Sequence, residues 1–156
     1  MANTCVERCL PKSGGVIEAT LYSEDGLGKP LSDCSTREIG LFGEDIATAY
    51  LVQCGAEILE RNWRCAFGET DIIAILDDLI LMVEVKTRSE EPIDSGLVPE
   101  VAVDYRKRAR YERMALAYLA YQTSYDSARF DVVAINVLDE HTAHLRYVAG
   151  AFGWDG

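Results

Sequence analysis

Residues 68–88 read Gly68-Glu69-Thr70-Asp71-Ile72-Ile73-Ala74-Ile75-Leu76-Asp77-Asp78-Leu79-Ile80-Leu81-Met82-Val83-Glu84-Val85-Lys86-Thr87-Arg88. Two apolar runs rich in β-branched residues flank an acidic pair, which predicts a β-hairpin turning at Asp77-Asp78. With that turn, Asp71 opposes Glu84 and Glu69 opposes Lys86. Opposed residues, and residues two apart on one strand, share a sheet face. Glu69, Asp71, Glu84 and Lys86 are therefore expected on one side, with Ile72, Ala74, Leu81, Val83 and Val85 on the other. Three acids and a lysine would meet at one sheet end.

Opposed Cβ atoms lie about 4.5–5.5 Å apart, so Asp71 and Glu84 repel unless one is protonated or a cation sits between them. A hard divalent ion such as Mg²⁺, held by one or two carboxylates plus water and phosphate oxygens, meets that need. The same residues also admit a plain reading, in which Glu69 and Lys86 form an exposed cross-strand ion pair and Asp71 only starts a strand.

At 156 residues and 49% hydrophobic content, the chain suits one domain with a real core. The apolar run Leu79–Val83 is too short to span a bilayer. Met1–Leu10 carries Glu7 and Arg8 where a signal peptide needs an apolar stretch, so a soluble, cytoplasmic protein without membrane contact is expected. Cys5, Cys9, Cys34, Cys54 and Cys65 are odd in number and irregularly spaced, and His141 and His144 are remote from them. They read as reduced thiols, not as a disulfide framework or zinc site. A net charge of −11 argues against indiscriminate nucleic-acid binding. Against that background Arg106, Lys107, Arg108, Arg110 and Arg113 form a basic island, with Glu112 the one acid among them.

Residues 1–34, broken by Pro11, Gly14-Gly15, Gly26, Gly28 and Pro30, read as a flexible extension with a short strand at Val16–Tyr22, and residues 35–156 as the domain proper. Ser35 and Glu38 match a capping box, and Ile39, Phe42, Gly43, Ile46, Tyr50 and Cys54 follow helical spacing until Gly55. Glu44 falls at the border of that buried stripe, where it can face a cleft or plain solvent. Ala56–Arg64 reads as a strand joining the hairpin, and residues 89–99 as a loop leaving the Glu84–Lys86 end. A second helix is expected from about Glu100 to Gln122, packed through Tyr111, Met114, Ala115, Tyr118 and Leu119. Extending its stripe back one turn aims Lys107 at the sheet and leaves Arg106, Arg110 and Arg113 as a basic rim. Arg129–Leu138 and His144–Val148 read as two further strands after a helical crossover.

Helix, three strands, helix, two strands is the core order of the restriction-endonuclease-like fold: an α/β three-layer arrangement, αβββαββ, with a central mixed sheet flanked by helices. The hairpin carries the matching signature, Asp71 followed after twelve residues by Glu84-Val85-Lys86. A closer resemblance spans residues 37–152. Gly43-Glu44 with Ala47 and Tyr50-Leu51, Gly55, Ile58-Leu59, Arg61-Asn62, Arg64, Gly68-Glu69, Asp71, Val83 through Arg88, Lys107, Ala115, Tyr118-Leu119, Arg129 through Val133, His144 and Ala151-Phe152 together resemble the YraN-like family of predicted endonucleases. The departures are Thr70, where the family has an aliphatic residue, the missing proline before the first acid of the general nuclease signature, and residues 1–34, which lie outside the family pattern.

The resemblance implies a nuclease-type fold related to archaeal Holliday junction resolvases, with Glu44, Asp71, Glu84 and Lys86 at the active-site positions. It points to Mg²⁺- or Mn²⁺-dependent hydrolysis of DNA, branched or structured DNA included. Asp71, Glu84 and the Val85 carbonyl would hold the ion, and Glu44 a water or second ion. Lys86 would orient the attacking water, and Arg106, Lys107, Arg110 and Arg113 would grip the backbone. The dimeric state of related resolvases adds the expectation of a homodimer. A non-catalytic nucleic-acid-binding or protein-docking module on the same fold is the alternative.

Overall fold

Asp77 and Asp78 both adopt left-handed backbone angles, φ 52° and 63°. This is the geometry of a two-residue hairpin turn whose twist matches the flanking strands. Around it β3 (Gly68–Leu76) pairs antiparallel with β4 (Leu79–Ser89) from Leu76↔Leu79 to Ile72↔Val83, the register expected from the sequence. The computed structural model describes residues 10–89 and 105–151.

Before the hairpin come β1 (Val16–Tyr22), a 3₁₀ turn at Leu31–Asp33, α1 (Thr36–Gln53) and β2 (Glu57–Cys65). After it come α2 (Tyr105–Tyr121), β5 (Ala128–Val137) and β6 (Thr142–Val148). Ser35 Oγ accepts from the Glu38 amide while the Glu38 carboxylate accepts from the Ser35 amide, so two helix-start donors are satisfied reciprocally. Gly55, at φ 95°, stands just past α1 where the chain reverses into β2. The loop expected at 89–99 and the first turn expected before Tyr105 lie outside the described residues, apart from Ser89, which ends β4. Cys34, Cys54 and Cys65 are free thiols, whereas Cys5 and Cys9 lie outside the described residues.

The six strands form one mixed sheet in the order β1-β6-β5-β4-β3-β2. Only β4 and β5 run parallel, joined through α2, as a crossover requires. α1 covers the face carrying Ile72, Ala74, Leu81, Val83, Val133, Ile135, Leu145 and Tyr147. α2 covers the opposite face at Ile73, Ile75, Ile80, Met82, Phe130 and Val132, using the predicted stripe of Tyr111, Met114, Ala115 and Tyr118. Each large apolar side chain fully buried in these layers contributes about 1.5–3 kcal/mol. This is a three-layer α/β fold of the restriction-endonuclease-like kind. Residues 1–34 read as an extension from the sequence, yet β1 pairs with β6 along its whole length and Leu21 is fully buried, so residues 16–22 belong to the sheet.

Among the described residues Asp131 is the fully buried charge of this core. Arg129 grips it with two bonds of 2.8 and 2.9 Å, the Tyr147 hydroxyl donates at 2.5 Å, and the Gly150 amide donates at 2.8 Å. A buried carboxylate is tolerated when its lone pairs are filled in this way. The cluster ties β5 and β6 to the chain that follows them. Among the described residues no helix is long and apolar enough to cross a membrane.

Candidate active site

The β3–β4 ladder stops at Ile72↔Val83, one residue short of Asp71 and Glu84. Continued, it would join the Val85 amide to Thr70; instead that amide donates to Asp71 Oδ2 at 2.8 Å. The Asp71 carboxylate thus replaces a backbone acceptor and sits in the split between two strands. On its other side, the position opposite Asp71 in the β2–β3 register belongs to Asn62, whose φ of 55° is left-handed. Asn accepts this conformation better than most residues, and it breaks the strand's regularity at the level of the acid.

Lodged in the split, Asp71 feels charges from both layers. Burial first, opposed by the Val85 hydrogen bond, and then the negative charges of Glu44, Glu84 and Glu69 push it up from 3.8 to about 6. Glu44 arrives from α1. Its side chain is only 18% exposed, and Oε1 lies 3.6 Å from Arg61 and is buried without a hydrogen-bond partner. Arg61 also bonds Asp45 at 3.2 Å, so it holds the first part of α1 against β2. Gly43 makes this approach possible, since a Cβ there would fall 2.0 Å from Thr87 Oγ1 on β4.

Glu84 is 19% exposed and holds two lysines. Lys86 Nζ lies 3.3 Å from Oε1, and Lys107 Nζ lies 3.9 Å from Oε2, an oxygen buried without a hydrogen-bond partner. Lys107 comes from α2, as its place one turn before Tyr111 predicted. Tyr111 also borders Glu84: its hydroxyl is raised above its ordinary value by burial and then by the Glu84 charge. Arg110 lies over the Tyr111 ring at 5.4 Å, while Arg106, Arg110 and Arg113 are exposed along the helix.

Glu69 does not meet Lys86. It pairs at 3.1 Å with Arg64, its direct partner on β2, so the exposed Glu69–Lys86 bridge is not formed, and the third acid near Asp71 and Glu84 is Glu44. That plain reading failed because the hairpin pattern omits the competing strand on the other side of β3. Arg61, the place of Tyr111 beside Glu84 and the Gly43–Thr87 contact escaped the hairpin reasoning, although Gly43, Arg61-Asn62 and Thr87 stand among the motif residues and Tyr111 in the stripe of α2.

Among the described residues no three or more of His, Cys, Asp and Glu are grouped to hold a metal ion. Asp71 and Glu84 would suit a cation held by two carboxylates and completed by water or substrate oxygens, not one held in a closed protein cage. The inward oxygens of Glu44 and Glu84, which have ion-pair neighbours but no hydrogen bond, and the raised Asp71 suit such a cation.

Residues 43–135, which span this whole site, match the profile of the uncharacterised protein family UPF0102. The chain belongs to the UPF0102 family. Among its UPF0102 relatives, one from Parafrankia sp. (strain EAN1pec) is 41% identical over 118 residues, 75% of this chain and 98% of the relative. Another, from Moorella thermoacetica, is 42% identical over 74% of this chain and 96% of the relative, and one from Syntrophus aciditrophicus is 46% identical over 65% and 78%. The UPF0102 match thus carries both halves of the site, α1 with the hairpin and α2 with β5.

Proposed function

We propose that this UPF0102 protein is a metal-dependent endonuclease that hydrolyses phosphodiester bonds of DNA, structured or branched DNA among its substrates. The observation that carries the reading is the Asp71 carboxylate set into the strand split, with Glu44 and Glu84 acting on it from either layer and two lysines held at Glu84. Asp71, Glu84 and the Val85 carbonyl would hold Mg²⁺ or Mn²⁺. When bound, that ion would supply Lewis acidity to the scissile phosphate and lower the pKa of water.

The chain's own groups do the rest. Lys86, 45% exposed and anchored by Glu84, orients the attacking water and offsets charge gathering on the phosphate oxygens. Glu44 holds a water or a second ion through its inward oxygen. Lys107 and the exposed Arg106, Arg110 and Arg113 bind flanking phosphates as positive groups on an otherwise acidic protein.

The test is cleavage of labelled duplex, single-stranded and four-way-junction DNA with Mg²⁺ or Mn²⁺. The native protein is expected to cut at least one of them, and Asp71→Ala and Glu84→Ala are expected to fold and not cut. Full activity in Glu84→Ala would end this reading. The basic rim of Arg106, Arg110 and Arg113 on a chain of net charge −11 favours a second reading, a nucleic-acid-binding module without turnover. Salt-sensitive DNA binding that survives EDTA, with no cutting under any metal, would select it.

A further inference from the structure

Past Asn62 and Asp71 the β2–β3 ladder runs on alone, through Trp63↔Thr70, Arg64↔Glu69 and Cys65↔Gly68, as an arm beyond the last β3–β4 pair. At the left-handed Asn62 this arm changes layer. Arg61 opposes Ile72 of the α1 layer, whereas Trp63 and Cys65 pack into the α2 layer. Trp63 stands edge-on to Tyr118 at 5.1 Å, and a Cβ at Gly68 would lie 3.1 Å from Met114 Sδ and 3.7 Å from Arg110 Cδ. The arm is thus seated on α2, and its tip, Ala66-Phe67, is held next to Arg110.

Phe67 is 41% exposed at a position where turns favour glycine, asparagine, aspartate, proline or serine. Gly68, at φ 150°, supplies the unusual backbone, so the turn itself has no need of a phenyl ring. The charge beside the ring is basic on a chain of net charge −11. Arg110 is exposed, Arg113 is its exposed i,i+3 neighbour on α2, and Arg64, with its side chain 78% exposed, pairs with Glu69 at 3.1 Å. Gly68 precedes Asp71 by about 10 Å of strand, which puts the ring within a few nucleotides of a phosphate held at the cleft. An aromatic ring set among arginines suits a base and its phosphates, and it gains most from a base whose faces are not already stacked in a duplex.

We infer that Phe67 stacks on an unpaired nucleobase of the DNA strand held at the Asp71–Glu84 cleft, with Arg110 at a neighbouring phosphate. The inference rests on the proposed nuclease reading and names the substrate class of that site, DNA with unpaired bases beside the cut.

Fluorescence anisotropy with labelled single-stranded and fully paired DNA, in an Asp71→Asn background that leaves the DNA whole, tests it. Phe67→Ala should weaken single-strand binding about tenfold, as loss of one stacked base does, and leave duplex binding unchanged. Its log–log salt slope should not move, since stacking releases no counterions, whereas Arg110→Gln should flatten the slope by about 0.7. Phe67→Trp should keep the native affinity, and Phe67→Leu, apolar but without a π face, should fall with Phe67→Ala, which separates stacking from folding. Val52→Ala, at an exposed apolar residue of α1, should change neither affinity. Unchanged single-strand affinity in Phe67→Ala, native affinity in Phe67→Leu, or an equal loss on duplex DNA overturns the inference. If the native protein still cuts DNA in that event, the nuclease reading stands with another substrate class. A selective loss of single-strand binding in Phe67→Ala, with no cutting by the native protein under any metal, keeps the base contact and removes the nuclease.

Discussion

At Asp71 burial decides a titration. The Val85 amide favours the charged carboxylate, but burial and the neighbouring acids outweigh it and raise Asp71 from 3.8 to about 6. A carboxyl raised in the folded state binds more protons there than in the unfolded chain. Its contribution is fully present below about pH 4 and is lost as pH rises through about 6. For a half-buried group, solvent screening leaves on the order of 1–2 kcal/mol. Asp71→Asn, which keeps an acceptor for Val85, should therefore be more stable than the native protein at pH 8 by about that amount in urea denaturation, with the difference vanishing near pH 4. A gap that grew towards acid would contradict the assignment. Added Mg²⁺ should raise the melting temperature of the native protein at pH 8 but not that of Asp71→Asn. Because proton and cation compete for the carboxylate, that increment should fade below about pH 6.

Elements set the distances between these residues. α1 lies against β4 because Gly43 has no Cβ to meet Thr87. Gly43→Ala must push the helix outward, which is expected to cost about 1–3 kcal/mol and to slow DNA cutting by withdrawing Glu44. Thr87→Ala on that background removes the Oγ1 and Cγ2 contacts and should restore part of both losses, measured by melting and by cleavage rate. At the hairpin, Asp78→Gly should stabilise the protein by about 0.5–1 kcal/mol, since glycine takes φ 63° without steric cost. The hairpin was legible in the sequence because period two and a two-residue turn fix its register. Capping residues marked the start of α1, and 3.6-residue spacing marked the packed face of α2, Lys107 included. Illegible were the Asp71 carboxylate standing in for a backbone acceptor and the pairing of Glu69 with Arg64. Both depend on which strand lies on the far side, and a local pattern does not contain that.

For the molecule as a whole, β1 decides how much of the chain is one folding unit. Leu21 is fully buried in the layer under α1 although the residues on either side of β1 are rich in glycine, proline and serine. Leu21→Ala should cost about 2–5 kcal/mol, as truncation of a core leucine does, and it should lower the stability of the entire sheet in one transition. A separate early transition, or no change in melting, would make residues 16–22 an appendage. The −11 net charge belongs to this scale too, since it confines polyanion contact to the few places where cations outnumber acids.

The pairing of β1 with β6 also has a meaning in time. Val16 bonds alongside Val148, so β1, made well before β6, finds its partner only when β6 has been made. Until then it has no neighbour, and closing so long a loop is slow. On a ribosome the hairpin and its two helices have their partners early, while the outer edge of the sheet waits for β6. In pulse-labelled refolding, amide protons of residues 16–22 should be the last to become protected.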